Sequence, residues 1–131
     1  IIMQDTFKHQ GLRKKLVDTI SKKGIKQQKV LAAIGKIPRH LFMDNAFINF
    51  AYEDNAFPIG AGQTISQPFT VAVQTELLDV KPHDKILEIG TGSGYQAAVL
   101  VAMEAIVYSI ERQKELFQKT KKVTFFYVYF K

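Results

Sequence analysis

Leu87-Glu88-Ile89-Gly90-Thr91-Gly92-Ser93-Gly94 is the stretch on which the fold turns. It grows out of a short apolar run, Lys85 to Ile89, bounded by Pro82-His83-Asp84 before it and Gly90 after it, the pattern of a buried strand. Tyr95 to Met103 follows as a helix whose Ala97, Ala98 and Ala102 allow close approach to a sheet. Glycine at such a joint lets the backbone come near a ligand, and the start of the next helix offers free N–H groups. Ile106 to Ile110 reads as a second strand and Arg112 to Lys122 as a charged helix. Val123 to Phe130, with Phe125, Phe126, Tyr127, Val128, Tyr129 and Phe130, reads as a third β-rich run. Strand, helix, strand, helix, strand is the opening of a doubly wound α/β sheet.

The glycine spacing narrows the ligand. A nicotinamide-cofactor fingerprint needs G-x-G-x-x-G, and its third glycine would fall at Tyr95. The observed G-x-G-x-G instead resembles motif I of class I S-adenosylmethionine-dependent methyltransferases. A carboxylate about twenty residues further on is expected to grip a ribose, and Glu111 stands there at the end of the second strand. Its competing role is an ordinary ion pair with a nearby Lys or Arg.

Upstream, Leu12, Leu16, Val17 and Ile20 form a helical stripe over about His9 to Lys23, with Gly24 as a stop. A second helix is predicted over Lys26 to Ile37, closed by Pro38. Arg39 to Phe50 is mixed. Ala51 to Phe69, punctuated by Asp54-Asn55, Pro58, Gly60, Gly62 and Pro68, reads as loop. Pro68 to Val80 returns to helical spacing through Val71, Ala72, Thr75 and Leu78, with Ser66 placed to cap it.

Three segments together resemble the protein-L-isoaspartate O-methyltransferases: Ala51 to Pro68, with its Gly62-Gln63-Thr64-Ile65-Ser66-Gln67-Pro68 end; Ile37 to Phe42; and Glu88 to Gln96. The resemblance runs from about Thr6 to Lys122. It implies a Rossmann-like α/β fold of which this chain holds the N-terminal part, about three parallel strands, behind a helical extension. It implies residues 1–80 as that extension with its substrate and cofactor loop, and residues 81–131 as the first half of the S-adenosylmethionine-binding domain. Val123 to Lys131 departs from the family's continuation, so the chain is expected to be C-terminally truncated, impaired as an enzyme, and open to self-association through an uncovered sheet edge.

The same resemblance assigns the site. Ser66 matches the family's active-site hydroxyl, and Gln63, Thr64, Ile65 and Ser66 match a loop that closes over cofactor and substrate. Glu88, Gly90, Thr91, Gly92 and Gly94 match the cofactor loop, with Glu111 as the ribose acid. The implied cofactor is S-adenosyl-L-methionine, leaving as S-adenosyl-L-homocysteine, and the implied partner is an isoaspartyl-containing protein or peptide. A competing reading is a non-catalytic interaction or regulatory protein that keeps half of the fold.

Composition fits an ordinary globular chain: 131 residues, 47% hydrophobic and 23% charged, enough for one domain with a core. With no cysteine, disulfides and thiolate metal sites are excluded. His9, His40 and His83 lie apart in sequence without ligand spacing, and no metal is expected. Glu53 and Asp54 read as solvated acids. The net charge of +6 gathers over Lys8 to Lys29 and Arg112 to Lys122 on helix-like patterns, without aromatic interleaving, so no nucleic-acid role is assigned. No apolar run is long enough to span a bilayer, and the first residues lack the regions of a signal peptide; the expected location is cytoplasmic.

Overall fold

Thr6 starts the first helix with a capping box: its hydroxyl accepts the His9 N–H, and the His9 ring accepts the N–H of Thr6. The structure is a computed structural model and describes residues 4–124. Helix α1 (Phe7–Lys22) buries Leu16 and Ile20 and half-buries Leu12 and Val17, so the predicted stripe faces inward. Burial of each large aliphatic side chain is worth roughly 1.5–3 kcal/mol relative to exposure. Helix α2 (Gln28–Lys36) packs on α1 through Val30, Leu31 and Ile34. It stops at Ile37, which is extended as a residue before proline prefers to be.

Two 3₁₀ turns, Arg39–Phe42 and Asn45–Phe50, follow. The predicted loop over Ala51 to Phe69 is then corrected, because it contains an antiparallel hairpin. Strand β1 (Phe57–Gly60) pairs with β2 (Gln63–Ile65). The connection, Ala61-Gly62, has positive φ at both residues (51° and 67°), as a tight hairpin turn requires. Pro58 and the glycines hid these strands; a short exposed hairpin tolerates both, with an irregularity in register between Pro58 and Gly60.

Helix α3 (Pro68–Leu78) has Pro68 in its first turn, but its N-cap is Gln67, without a side-chain hydrogen bond. Ser66 therefore does not cap it. Asp54 does the work from fifteen residues upstream, accepting the Phe69 N–H at 2.8 Å.

Strand β3 (Lys85–Ile89) and strand β4 (Ile106–Ile110) run parallel, in register from Lys85 opposite Ile106 to Ile89 opposite Ile110. Helix α4 (Tyr95–Ala102) forms the crossover, and α5 (Lys114–Thr124) follows β4. Two parallel strands are present among the described residues. Val123 and Thr124 belong to α5, and the rest of the predicted third strand lies outside the described residues.

The predicted burial of the first strand is also corrected. Ile86, Glu88, Val107 and Ser109 face the helices. Leu87, Ile89, Ile106, Tyr108 and Ile110 stand on the other face, 43–73% exposed. One buried cluster unites the molecule, running from Leu16 and Ile34 through Val71 and Val80 to Leu100 and Leu116. Among the described residues no helix is long and apolar enough to cross a membrane.

Candidate active site

The turn after β3 is built on backbone that few side chains tolerate. Gly90, Gly92 and Gly94 all have positive φ (89°, 55° and 83°), and Gly94 is the N-cap of α4. The loop is tied down at both ends. Gly90 and Thr91 donate their N–H groups to the Ile110 carbonyl at 2.7 and 3.2 Å, and Thr120 donates its hydroxyl to the Gly92 carbonyl at 2.5 Å. A Cβ on Gly92 would meet Ile59 of β1 at 3.6 Å, so the hairpin packs directly over the loop.

A cleft of about 190 Å³ opens beside this turn. Its walls bring together Ile65 and Ser66 from the hairpin's end, Glu88, Gly90 and Thr91 from the strand and turn, and Gln74 and Gln96 from α3 and α4. Of the residues predicted for the site, Ile65, Ser66, Glu88, Gly90 and Thr91 line it. Gly92 and Gly94 shape the turn behind it. Gln63 and Thr64 are exposed on the hairpin and do not line it. Glu111 is also off the cleft wall: its two oxygens accept the N–H groups of Gly92 (2.8 Å) and Gln113 (2.7 Å). It buttresses the loop through these two bonds.

The electrostatics of the cleft centre on Glu88. Burial pushes its carboxyl up to about 7; the Ser109 hydroxyl that donates to it favours the ionised form, and the Glu111 charge opposes it. Thr91 and Ser109 join by a 2.6 Å hydroxyl contact. Below the other wall, Arg39 is wholly buried. Its Nη2 donates to the carbonyls of Ser66 (2.9 Å) and Asn55 (3.3 Å), and its guanidinium lies 4.8 Å from the centre of the Tyr95 ring. Burial lowers the pKa of this guanidinium, while the nearby Tyr95 ring and Asp54 oppose that shift. Arg39 thus links the backbone of Ser66 to the first residue of α4. It sits in the Ile37 to Phe42 segment but was not predicted as a site residue, since a lone Arg beside a proline has no pattern of its own.

Asp54 is a second correction. Its side chain is 9% exposed, paired with Lys23, and holds the start of α3; it is not a solvated acid. The Asn55 carbonyl, through Arg39, and the Asp54 carboxylate, through Phe69, thus tie this segment to the residues around Ser66.

The histidines are a third. His9 and His40 stack with ring centres 3.8 Å apart, and with Asp5 they place three ligand-type atoms within 4.8 Å of one another. Each of the three is engaged by a neighbouring side chain or backbone group. The Thr6 N–H can only donate, so His9 Nδ1 accepts at 3.3 Å and the ring hydrogen sits on Nε2. Arg13 donates to the Tyr52 oxygen at 2.9 Å, and the Tyr52 hydroxyl shares a 2.7 Å hydrogen bond with His40 Nδ1. Asp5 is held by both Arg13 terminal nitrogens at 2.8 and 2.9 Å. Asp5, His9 and His40, held by Arg13, Thr6 and Tyr52, make a structural cluster beside the start of α1.

Comparisons with known proteins converge. The family model described as protein-L-isoaspartate(D-aspartate) O-methyltransferase matches residues 11–124. A protein-L-isoaspartate O-methyltransferase of Christiangramia forsetii is 65% identical over 119 residues, covering 91% of this chain and 56% of its own. One from Flavobacterium psychrophilum is 66% identical over 118 residues, covering 90% and 55%. A solved protein-L-isoaspartate O-methyltransferase superposes with a TM-score of 0.79 at 27% identity, over 91% of this chain and 41% of its own. The chain thus spans a little over half the length of the curated relatives it matches.

Proposed function

The chain belongs to the protein-L-isoaspartate(D-aspartate) O-methyltransferase family, and from that membership we propose that it binds S-adenosyl-L-methionine and serves methyl transfer to the free carboxylate of L-isoaspartyl residues in damaged proteins. The observation that supports this best is the shared cleft: Ser66 of the hairpin's end and Gly90-Thr91 of the glycine turn line one cavity. In this reading residues 1–80 supply the helical extension with its substrate and cofactor loop, and residues 81–131 the first half of the cofactor-binding domain. Cytoplasmic residence is proposed with it, on the cysteine-free composition.

The cleft is smaller than the roughly 300–1,000 Å³ of a pocket that swallows a whole ligand. It suits the methionine end of the cofactor and the acceptor carboxylate, with the ribose lying toward Glu111. That carboxylate has an ordinary pKa of about 4 and is ionised at neutral pH. No general base is needed. When bound, S-adenosyl-L-methionine would supply its sulfonium methyl to a carboxylate oxygen, the carbon–sulfur electron pair staying on sulfur as S-adenosyl-L-homocysteine, with Ser66, Glu88, Gly90 and Thr91 holding the two reactants. Anion and cation annihilate, so a water-poor site and in-line alignment carry the rate. The Ser66 hydroxyl orients the acceptor by donating to it, and the Arg39 cation beneath its backbone favours an anion there.

Labelled S-adenosyl-L-methionine with an isoaspartyl peptide and its aspartyl twin tests the proposal. Whatever methyl ester forms is expected on the isoaspartyl peptide and not on its twin, and is lost with Ser66→Ala. Failure of the chain to bind S-adenosyl-L-homocysteine by calorimetry overturns it.

A second reading draws on the bare sheet face. Leu87, Ile89, Tyr108 and Ile110 form an exposed apolar patch of the kind that mediates association. A chain that self-associates through it and binds no cofactor would be an interaction protein that keeps half of the fold. Size-exclusion chromatography with light scattering separates the two.

A further inference from the structure

Ser109 stands directly opposite Glu88 across the parallel pair, on the face covered by helices. Its hydroxyl donates to Glu88 Oε2, so the hydrogen in its 2.6 Å contact with Thr91 comes from Thr91. The result is a directed chain from Thr91 through Ser109 to Glu88. Its first member is buried in the glycine turn, with its own N–H bonded to the Ile110 carbonyl. Its last member lines the cleft. Ser109 itself does not.

We propose that Ser109 is a positioning residue of the cofactor cleft, coupling the Glu88 carboxylate to Thr91 so that the wall presents a negative charge to the cofactor's ammonium group. The inference rests on the methyltransferase assignment above and deepens it. Hydrogen bonding to the charged form of a carboxyl favours that form, and Ser109 is the donor that supplies it here. Glu111, at the end of β4, opposes ionisation of Glu88, while Gln74 of α3 and Gln96 of α4, which share the cleft, are neutral. Burial already poises the Glu88 carboxyl near neutrality. Loss of one donor therefore changes its charge within the working pH range.

The test combines a carbon-13 NMR titration of the Glu88 carboxyl with calorimetric titration of S-adenosyl-L-homocysteine across mildly acidic to alkaline pH. Wild type, Ser109→Ala and Ser109→Thr are compared in the full 131-residue chain. Ser109→Ala is expected to raise the Glu88 midpoint by about one pH unit, the order expected for one charge-assisted hydrogen bond. A shift of that size leaves about fivefold less ionised Glu88 near pH 7, hence about fivefold weaker binding that recovers as the pH rises. Ser109→Thr, which keeps the hydroxyl, restores both. An unmoved Glu88 midpoint, or a binding loss equal at every pH, overturns the proposal. Should Ser109→Ala not fold, Ser109→Cys gives the same readout with a weaker donor. Absence of binding by wild type at every pH overturns the methyltransferase assignment instead, and the NMR titration still decides the Ser109–Glu88 link.

Discussion

Glu111 clamps the glycine turn by accepting the backbone N–H of Gly92 at 2.8 Å, while its second oxygen holds Gln113 at the approach to α5. A sugar that binds this carboxylate must share or displace those N–H groups. Glu111→Ala is expected to destabilise the free chain by about 1–3 kcal/mol, the cost of leaving polar partners unsatisfied, and to weaken S-adenosyl-L-homocysteine at least tenfold. Glu111→Gln keeps one acceptor oxygen and falls between. Thermal melting and calorimetry read the two effects separately.

Arg39 is the second test. Arg39→Met preserves much of the volume but leaves the carbonyls of Ser66 and Asn55 without their donor, at a cost of about 2–4 kcal/mol. Arg39→Lys does not rescue it, because an ammonium on a flexible stem cannot reproduce a planar fork stacked on Tyr95. Denaturant melts give the cost. Hydrogen exchange localises it, with faster exchange expected over residues 63–70.

Asp54 links stability to acid. Burial alone would raise its pKa, but the Lys23 ion pair and the Phe69 N–H outweigh that and hold it below the usual carboxylate range. A depressed carboxyl stabilises the fold above its unfolded pKa, near 3.8, and that contribution is lost as pH falls through the lower folded value. Asp54→Asn should therefore melt earlier at neutral pH, with the gap to wild type closing in acid.

Glu88 behaves in the opposite sense. Its folded pKa of about 7 lies above the unfolded 4.5, so native Glu88 binds its proton more tightly than the unfolded chain does. The stabilisation is fully present below about 4.5 and is lost as pH rises through 7. Glu88→Gln, which never ionises, is expected to raise the melting temperature of the free chain at alkaline pH by about 3–8 °C while abolishing cofactor binding. Melts at alkaline and mildly acidic pH check the sign.

Much of the fold was legible because two periods were clean. Lys85 to Ile89 and Ile106 to Ile110 match the strands residue for residue, and the helical stripes lie within a turn of α1, α2 and α3. What stayed hidden was non-local. The β1–β2 hairpin depends on two residues of positive φ between strands of three and four residues, too short for an alternation to register. Asp54, Arg39 and the His9–His40 stack have partners 12 to 31 residues away, and sequence spacing does not report such contacts. For the site, glycine spacing marked the turn, and the segment ending in Ser66 was named by resemblance. That the two meet in one cleft, and that Ser109 stands behind Glu88, came only from the strand register and the packing of the hairpin.

Arg39 grips position 66 by its main-chain oxygen and leaves the exposed side chain out of the attachment. The site is thus a socket indifferent to what is plugged into it. A thiol installed there by Ser66→Cys would be the sole sulfhydryl in a polypeptide that has none. One fluorophore or spin label would then report from the cleft mouth, with no background to subtract.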